Sequence, residues 1–172
     1  MSEILLESKR MILKSLEETD FYELCKMLKD IEVMYAWEKV YNDEEIYDWI
    51  KRMKKSYAEN KHGYCLAIDK NTKETIGQIG LLKEKINGKN YTAVGYILKK
   101  EYWGKGYATE GAEACIRYAF NNLNVKEVVT DIRPENVASI NVAKNIGMHL
   151  VGEYVKEFKG MKMKHLVYKI QK

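Results

Sequence analysis

The sequence has few cysteines, histidines and prolines, and it has no long apolar run. Its three cysteines, Cys25, Cys65 and Cys115, are odd in number and widely spaced. This pattern predicts reduced core thiols in a cytoplasm and argues against a disulfide framework. The three histidines are equally scattered, so we expect no metal site. No apolar stretch has the length of a membrane span, and the acidic start of the chain does not resemble a secretion signal.

The charge balance is also modest. There are 29 Lys+Arg and 25 Asp+Glu residues, which gives a formal net charge of +4 at pH 7. This value suits an anionic ligand, but it is far from the basic surface of a nucleic-acid-binding protein. The chain has 172 residues, of which 46% are hydrophobic, and no repeat or linker divides it. We therefore expect a single domain over residues 1–172 with a full core.

The hydrophobic periodicity predicts strands and helices in the order β-α-α-β-β-β-α-β-α-β-β. The predicted strands are Arg10–Ser15, Tyr64–Asp69, Glu74–Glu84, Tyr91–Leu98, Val125–Ile132, His149–Val155 and Met163–Ile170. The predicted helices start near Asp20, which can act as the cap with Glu23 three residues on, and near Asn42, Tyr107 and Pro134. Asn87-Gly88 and Lys159-Gly160 mark hairpin turns. This order predicts an α+β fold with one mixed, mostly antiparallel sheet.

A short glycine turn, "YWGKGYAT", joins the strand Tyr91–Leu98 to the helix that starts at Tyr107. The free N–H groups of a helix start and the helix dipole attract anions, and glycines at 104 and 106 let the backbone approach a phosphate. The turn is not a P-loop, because no Lys-Ser/Thr pair follows the second glycine. It is not a dinucleotide fingerprint, because Thr109 stands where that pattern needs a third glycine. A lone Gly-x-Gly also fits a tight turn without any ligand.

Four stretches are similar to the GNAT superfamily of acyl-CoA N-acyltransferases: "ESKRMILKSLEETD", "GYILKKEYWGKGYATEG", "RPENVASINVAKNIGM" and "HLVYKI". The resemblance covers nearly the whole chain and is closer to the branch that acetylates the N-termini of ribosomal proteins. Two positions depart from the family pattern. Glu101 stands where Gln or Arg is usual, and Ala143 stands where many members have a tyrosine acid.

The resemblance implies a GNAT-like sheet that is splayed between the predicted fourth and fifth strands, Tyr91–Leu98 and Val125–Ile132. It implies acetyl transfer from acetyl-CoA to an amine by direct attack in a ternary complex. A bulge at Gly95 would open the splay, although Gly95 also fits a packing position that faces an aromatic ring. The acetyl-CoA pyrophosphate would then bind the backbone of the glycine loop, formed by Gly104, Lys105, Gly106, Tyr107, Ala108 and Thr109.

The same resemblance assigns the remaining cofactor contacts. The main chain of Ile97, Leu98 and Lys99 would bind the pantetheine arm, as an added strand would. Asn136 would bind the arm, and Ser139 would lie near the sulfur and donate a proton to the departing thiolate. Both residue types also suit the start of a helix, so capping is the alternative role. Lys144 and Asn141 would reach the 3′-phosphate side, and an exposed helix face is the alternative for both.

The acceptor side is less specified by the sequence. Tyr35, Trp37, Tyr41 and Tyr96 are candidates to shape the acceptor pocket. Ala93 stands where related enzymes often have a glutamate base, so the candidate bases are Glu84, Glu153, Glu157 and His165. The best match for the acceptor is a protein N-terminus, from a ribosomal protein. The alternatives are a small-molecule amine (a polyamine, amino acid or antibiotic) and a degenerate acyl-CoA-binding module. We expect a cytoplasmic monomer or homodimer with no nucleic-acid or membrane partner.

Overall fold

The computed structural model describes residues 2–172, and these residues form an eight-stranded sheet with helices packed on both faces. The strands are β1 (Ile4–Glu7), β2 (Met11–Lys14), β3 (Tyr64–Asp69), β4 (Thr75–Ile86), β5 (Lys89–Leu98), β6 (Glu127–Ile132), β7 (His149–Phe158) and β8 (Met161–Gln171). The helices are α1 (Phe21–Leu28), α2 (Asp43–Asn60), α3 (Tyr107–Asn122) and α4 (Val137–Asn145). Across residues 2–172, no helix is long and apolar enough to span a membrane.

The strand order in the sheet is β1-β2-β3-β4-β5-β6-β8-β7, and all neighbours are antiparallel except β5 and β6. This confirms the predicted mixed, mostly antiparallel α+β sheet. The sequence did not predict β1, which forms a hairpin with β2 at the sheet edge. The strand has four residues and its Ile4 is exposed, so it has no apolar alternation that would reveal it.

The predicted start of α1 is wrong in its capping detail. Asp20 does not cap α1 with its side chain, because it ends a 3₁₀ turn and its carboxylate accepts hydrogen bonds from Lys14 Nζ and Glu17 N. By contrast, α2 starts with a complete capping box. Asn42 Oδ1 accepts from Glu45 N, and Glu45 Oε2 accepts from Asn42 N.

The sheet buries apolar side chains on both faces. Helices α3 and α4 cover one face, where Cys65 of β3 joins a core with Cys115 of α3. Helices α1 and α2 cover the other face, where the next residue of β3, Leu66, packs with Ile50 of α2. Successive residues of one strand thus enter different cores, as the pleat of a β-strand requires. The N-termini of α3 and α4 are thereby held at the same end of the sheet as the β5–β6 gap described next.

Strands β5 and β6 separate almost as soon as they meet. They are parallel and share one bridge, between Ala93 and Val129. The neighbouring ladders are much longer: β4 and β5 pair from Gly77 and Leu98 to Ile86 and Lys89. The carboxyl-terminal halves of β5 and β6 therefore leave a gap in the sheet, which confirms the predicted splay.

Gly95 does not open this gap through a bulge. The β4–β5 ladder passes Gly95 with no change in register, so the expected bulge is wrong. A Cβ placed on Gly95 would lie 1.7 Å from the hydroxyl oxygen of Tyr64, which reaches over from β3. Glycine is required here because the Tyr64 hydroxyl occupies the space of a side chain. The alternative, a packing glycine that faces an aromatic ring, is confirmed.

Gly95→Ala should therefore destabilise the fold by about 1–3 kcal/mol, the usual cost of overpacking. For a chain of this size, that lowers Tm by roughly 2–4 °C for each kcal/mol. Thermal melts should show that Tyr64→Phe, which removes the clashing hydroxyl, recovers part of the loss in the double variant. Gly152→Ala is the matched control, since a Cβ on this strand glycine meets no atom within 4 Å. Equal effects of Gly95→Ala and Gly152→Ala would contradict the packing explanation.

Candidate active site

The glycine loop joins β5 to α3 in a conformation that requires glycine at two positions. Gly104 has φ +70° and Gly106 has φ +82°, both in the left-handed region. Gly106 is the N-cap residue of α3 and provides no side-chain cap. The N–H groups of Tyr107, Ala108 and Thr109 have no hydrogen-bond acceptor among residues 2–172. These free donors at a helix start form a site suited to a phosphate.

A groove of about 610 Å³ runs from the glycine loop to the gap beside β5. Its walls are the loop, the end of β5, the first turns of α4 and the 3₁₀ turn Tyr35–Trp37. The candidate residues that line the groove are Tyr35, Trp37, Tyr96, Ile97, Leu98, Gly104, Gly106, Tyr107, Ala108, Thr109, Asn136 and Ser139. The volume lies within the usual range for a ligand pocket. The groove and the free N–H groups therefore fit a long ligand with a phosphate end, such as the expected acetyl-CoA.

The register of β5 decides which of its main-chain groups face the gap. Lys99 N donates to Ile76 O on the β4 side, 2.9 Å away. Because hydrogen-bonding direction alternates along an antiparallel strand, Ile97 also points its N–H towards β4. The N–H groups of Tyr96 and Leu98 point the other way, into the gap. Of the three residues expected to bind the pantetheine arm through the main chain, Leu98 is therefore in position, and Ile97 and Lys99 are not.

Of Asn141 and the three lysines predicted to bind the cofactor, only Asn141 lines the groove. The Lys99 ammonium forms an ion pair with Glu23, 2.7 Å away, and lies outside the groove. Lys144 lies on the exposed side of α4 and lines neither cavity of the site, whereas Asn141 lines the groove. Lys105 is exposed, with Nζ 5.6 Å from the centre of the Tyr102 ring, and it does not line the groove.

The start of α4 carries a hydrogen-bonded cluster. Asn136 is the N-cap residue, and its Oδ1 accepts from Ser139 N at 3.2 Å and from the Tyr35 hydroxyl at 2.8 Å. The Tyr96 hydroxyl donates to Ser139 O at 3.3 Å, and burial raises the pKa of Tyr96 to about 12. Asn136 thus caps the helix, yet its amide nitrogen has no partner among residues 2–172. The Ser139 side chain also hydrogen-bonds with the Tyr96 hydroxyl, so the Asn136 amide nitrogen is the group of this cluster that is free to bind a ligand.

A second cavity, of about 340 Å³, adjoins the groove at this cluster. Both cavities are lined by Ala36, Trp37, Tyr96, Ile97, Asn136 and Ser139. This second cavity, which we call the acceptor cavity, extends from the 3₁₀ turn Tyr35–Trp37 to Trp49, Tyr64 and the facing surface of β6, β7 and β8. A ligand in the groove and a ligand in the acceptor cavity would therefore meet beside Ser139.

The acceptor cavity contains a buried charge network. Lys156 Nζ lies 3.0 Å from Asp131 Oδ2 and 3.1 Å from Glu84 Oε1, and the Tyr154 hydroxyl donates to Asp131 at 2.5 Å. Burial favours a raised pKa for Asp131, but the Lys156 charge and these hydrogen bonds outweigh it and lower the pKa. Burial likewise favours a lowered pKa for Lys156, and its two carboxylate partners raise it. Asp131 and Lys156 therefore remain charged near pH 7.

His165 contributes a neutral group to the same cavity. Its Nδ1 lies 3.0 Å from Met163 O, and because a carbonyl only accepts, this nitrogen carries the ring proton. Burial lowers the pKa of His165, so the ring is neutral near pH 7 and Nε2 has a free lone pair. Of the four candidate bases, Glu84, Glu157 and His165 line the cavity. Glu153 does not, and it pairs with Lys164 at 3.0 Å.

The turn of the β7–β8 hairpin follows Phe158, which lines one side of the acceptor cavity. Lys159 Nζ donates to Val40 O at 3.0 Å and to Glu45 Oε2 at 2.7 Å, and Lys39 Nζ donates to Lys159 O at 2.8 Å. The Lys159 ammonium also lies 4.6 Å from the centre of the Tyr41 ring. These contacts tie the hairpin turn to residues 39–45, next to Tyr41 and Phe158, which line the cavity on this side.

Sequence reasoning missed Asp131, Lys156 and Tyr64. Asp131 interrupts the apolar strand "EVVTDI", and a charged residue inside such a strand was the available signal. Lys156 on β7 and Glu84 on β4 are distant in sequence, so their meeting with Asp131 depends on the strand order. Tyr64 gave no signal, because its role depends on the absence of a side chain at Gly95.

Comparisons with known proteins agree with this geometry. The family model described as "Acetyltransferase (GNAT) domain" matches residues 10–149. An uncharacterized protein, YkkB, from Bacillus subtilis (strain 168) is 32% identical over 149 residues, which cover 84% of each chain. An acetyltransferase from Agrobacterium tumefaciens str. C58 superposes with a TM-score of 0.82 at 24% identity, over 97% of this chain and 94% of that one. A ribosomal L7/L12 α-N-protein acetyltransferase in complex with coenzyme A superposes with a TM-score of 0.79 at 19% identity, over 98% of each chain.

Proposed function

Because the chain belongs to the GNAT acetyltransferase family and is an acetyl-CoA-dependent N-acetyltransferase, we propose that its acceptor is the N-terminal α-amine of a protein, with a ribosomal protein as the best candidate. The sequence motifs that resemble the ribosomal-protein branch motivate this choice. The proposed site of action is the cytoplasm, where such acceptors occur.

The charge balance of the acceptor cavity carries the proposal. Its lining contains three cationic side chains, Arg52, Arg133 and Lys156, and three carboxylates, Glu84, Asp131 and Glu157. The lining therefore has no excess negative charge to attract a polycation. This balance disfavours a polyamine acceptor and suits the single amine of a chain end. The wall formed by Tyr41 and Phe158 further favours a narrow chain end over a lysine within a folded surface.

The protonation of the amine supports the same choice. A free α-amine has a pKa of about 7.7–8.0, whereas that of a lysine is about 10.4. Near pH 7 a useful fraction of α-amines is already neutral, so attack on the thioester requires little help from a base. The neutral His165 ring, with its free Nε2, is suited to receive the proton released afterwards.

We assign the remaining roles by position. The N–H groups of the loop over residues 104–109 hold the pyrophosphate, and the N–H groups of Leu98 and Tyr96 hold the pantetheine arm across the β5–β6 gap. Asn136 donates its amide to that arm, and Ser139 donates its hydroxyl to the departing sulfur. Trp37 and Tyr96 shape the passage where the two cavities adjoin, and Tyr35 shapes the groove beside it. Transfer is then direct, because donor and acceptor meet at one point.

The test is a thiol-release assay with acetyl-CoA against a panel of peptides and small amines. The panel should contain ribosomal-protein N-terminal peptides, the same peptides with a blocked N-terminus and an internal lysine, spermidine, and single amino acids. We expect release only with free N-terminal peptides, and mass spectrometry should locate the acetyl group on the α-amine. Faster turnover of spermidine or of blocked peptides would contradict the proposal. If none of the amines in the panel gives thiol release, the result would favour a degenerate acyl-CoA-binding module.

A further inference from the structure

We propose that Arg10 is a positioning residue for the phosphate end of acetyl-CoA, acting through the glycine loop. Arg10 directly precedes β2, far in sequence from the loop. Its Nη1 donates to the main-chain oxygen of Lys105 at 3.0 Å, so the guanidinium holds the loop between the two glycines. A Cβ added to Gly106 would lie 3.4 Å from Arg10 Nη2, so the guanidinium lies beside the N-cap residue of α3.

The same guanidinium is fixed from two other directions. It lies 4.1 Å from the centre of the Tyr107 ring, and the Tyr107 hydroxyl donates to Asp69 Oδ2 at 2.9 Å. Its Nε donates to Glu110 Oε2 at 2.6 Å. A planar guanidinium can stack on a ring and form directed hydrogen bonds at its edge at once, which an ammonium cannot. Arg10 thereby links the sheet edge to the loop and to the first turn of α3.

Glu110 explains why this position needs a cation. A carboxylate in the first turn of α3 interacts favourably with the helix dipole, but it also repels an anion bound at the same helix start. Glu110 Oε1 accepts from Ser8 Oγ and from Arg10 N, both at 2.6 Å, while Oε2 faces the guanidinium. Every partner of this carboxylate thus comes from the segment before β2. Arg10 both holds the loop and neutralises the charge that would oppose the phosphate.

The inference rests on the proposed cofactor contacts of the loop, and direct binding measurements test it without any acceptor. The ligands are CoA, 3′-dephospho-CoA, which keeps the pyrophosphate, and pantetheine, which has none. We expect Arg10→Gln to raise the Kd of CoA and of 3′-dephospho-CoA about ten-fold, the loss typical of one charge-assisted contact, with the Kd of pantetheine unchanged. Arg10→Lys keeps the positive charge but lacks the planar set of N–H donors, so it should raise the Kd of CoA by a smaller factor. This variant replaces Arg10→Gln in the measurement if Arg10→Gln folds poorly.

The matched control is Arg117→Gln, which removes a cation from the exposed side of α3. It should leave all three Kd values unchanged. Glu110→Gln combined with Arg10→Gln should recover part of the CoA affinity, because it removes the uncompensated carboxylate. An unchanged Kd for CoA in Arg10→Gln, an equal rise for pantetheine, or a rise for CoA alone would overturn the proposal. If the wild-type protein binds CoA no more tightly than pantetheine, the proposed pyrophosphate site in the glycine loop is wrong. That outcome is distinct from a failure of the Arg10 proposal.

Discussion

Gly106→Val should abolish the thermal stabilisation that acetyl-CoA gives to the wild-type protein. A ligand at a hundred times its Kd adds about 2.7 kcal/mol to the free energy of unfolding. At roughly 2–4 °C for each kcal/mol, this is a readily measured rise in Tm. The valine side chain would stand at the N-cap of α3, where the phosphate is proposed to bind, and its φ of +82° is unfavourable for a branched residue. Melting curves with and without acetyl-CoA measure the effect.

Gly88→Val separates the loss of binding from backbone strain. Gly88 has φ +83° in the β4–β5 hairpin turn, and a Cβ there meets no atom within 4 Å. Both variants should lose similar stability without ligand, since both force a branched residue into the left-handed region. The Gly88 variant should keep the full acetyl-CoA shift. A full shift in Gly106→Val would mean that the loop does not contact the phosphate.

Ser139→Ala should lower kcat by roughly ten- to a thousand-fold, within the range for loss of a proton donor or an oxyanion-type contact. Ser139 lines both cavities where they adjoin, and its side chain hydrogen-bonds with the Tyr96 hydroxyl. A contact made mainly in the transition state changes kcat and leaves the Michaelis constant for acetyl-CoA nearly unchanged. Steady-state kinetics with the best acceptor from the amine panel measures both constants.

Asn136→Ala should show the opposite pattern, with weaker acetyl-CoA binding and a smaller change in kcat. The substitution also removes a helix cap, which costs about 1 kcal/mol of stability. A melting curve of the variant should therefore show that it is folded at the temperature of the kinetic assay. Asn141→Ala is the matched control on the same helix, since Asn141 lines the groove but not the acceptor cavity. It should leave kcat unchanged. A near-normal kcat in Ser139→Ala would mean that Ser139 has only a structural role at the start of α4.

The parts of the site that follow from local sequence were predictable. The turn between β5 and α3 was marked by its two glycines, and the β4–β5 hairpin turn, where Gly88 has φ +83°, was marked by the pair Asn87-Gly88. Both depend on backbone preferences of a few neighbouring residues. The order of strands from β2 onwards was predictable for the same reason, because each strand has its own alternation or flanking turn.

The parts that depend on register and topology were not predictable. The register between β4 and β5 decides whether the N–H of Leu98 or that of Lys99 points into the β5–β6 gap. A shift of this register by one residue would exchange the two orientations. The network of Glu84, Asp131 and Lys156 needs three strands brought side by side. The contact of Arg10 with the glycine loop spans about half the chain. None of these pairings leaves a local pattern in the sequence.

A crystal structure of the protein with bound CoA would test this cofactor site directly. We expect the pyrophosphate at the N–H groups of residues 104–109, the pantetheine arm in the gap against the N–H groups of Tyr96 and Leu98, and the sulfur beside Ser139. Strands β5 and β6 should remain separated beyond the Ala93–Val129 bridge. CoA bound elsewhere, or a β5–β6 ladder closed along its length with no room for the arm, would contradict this expectation.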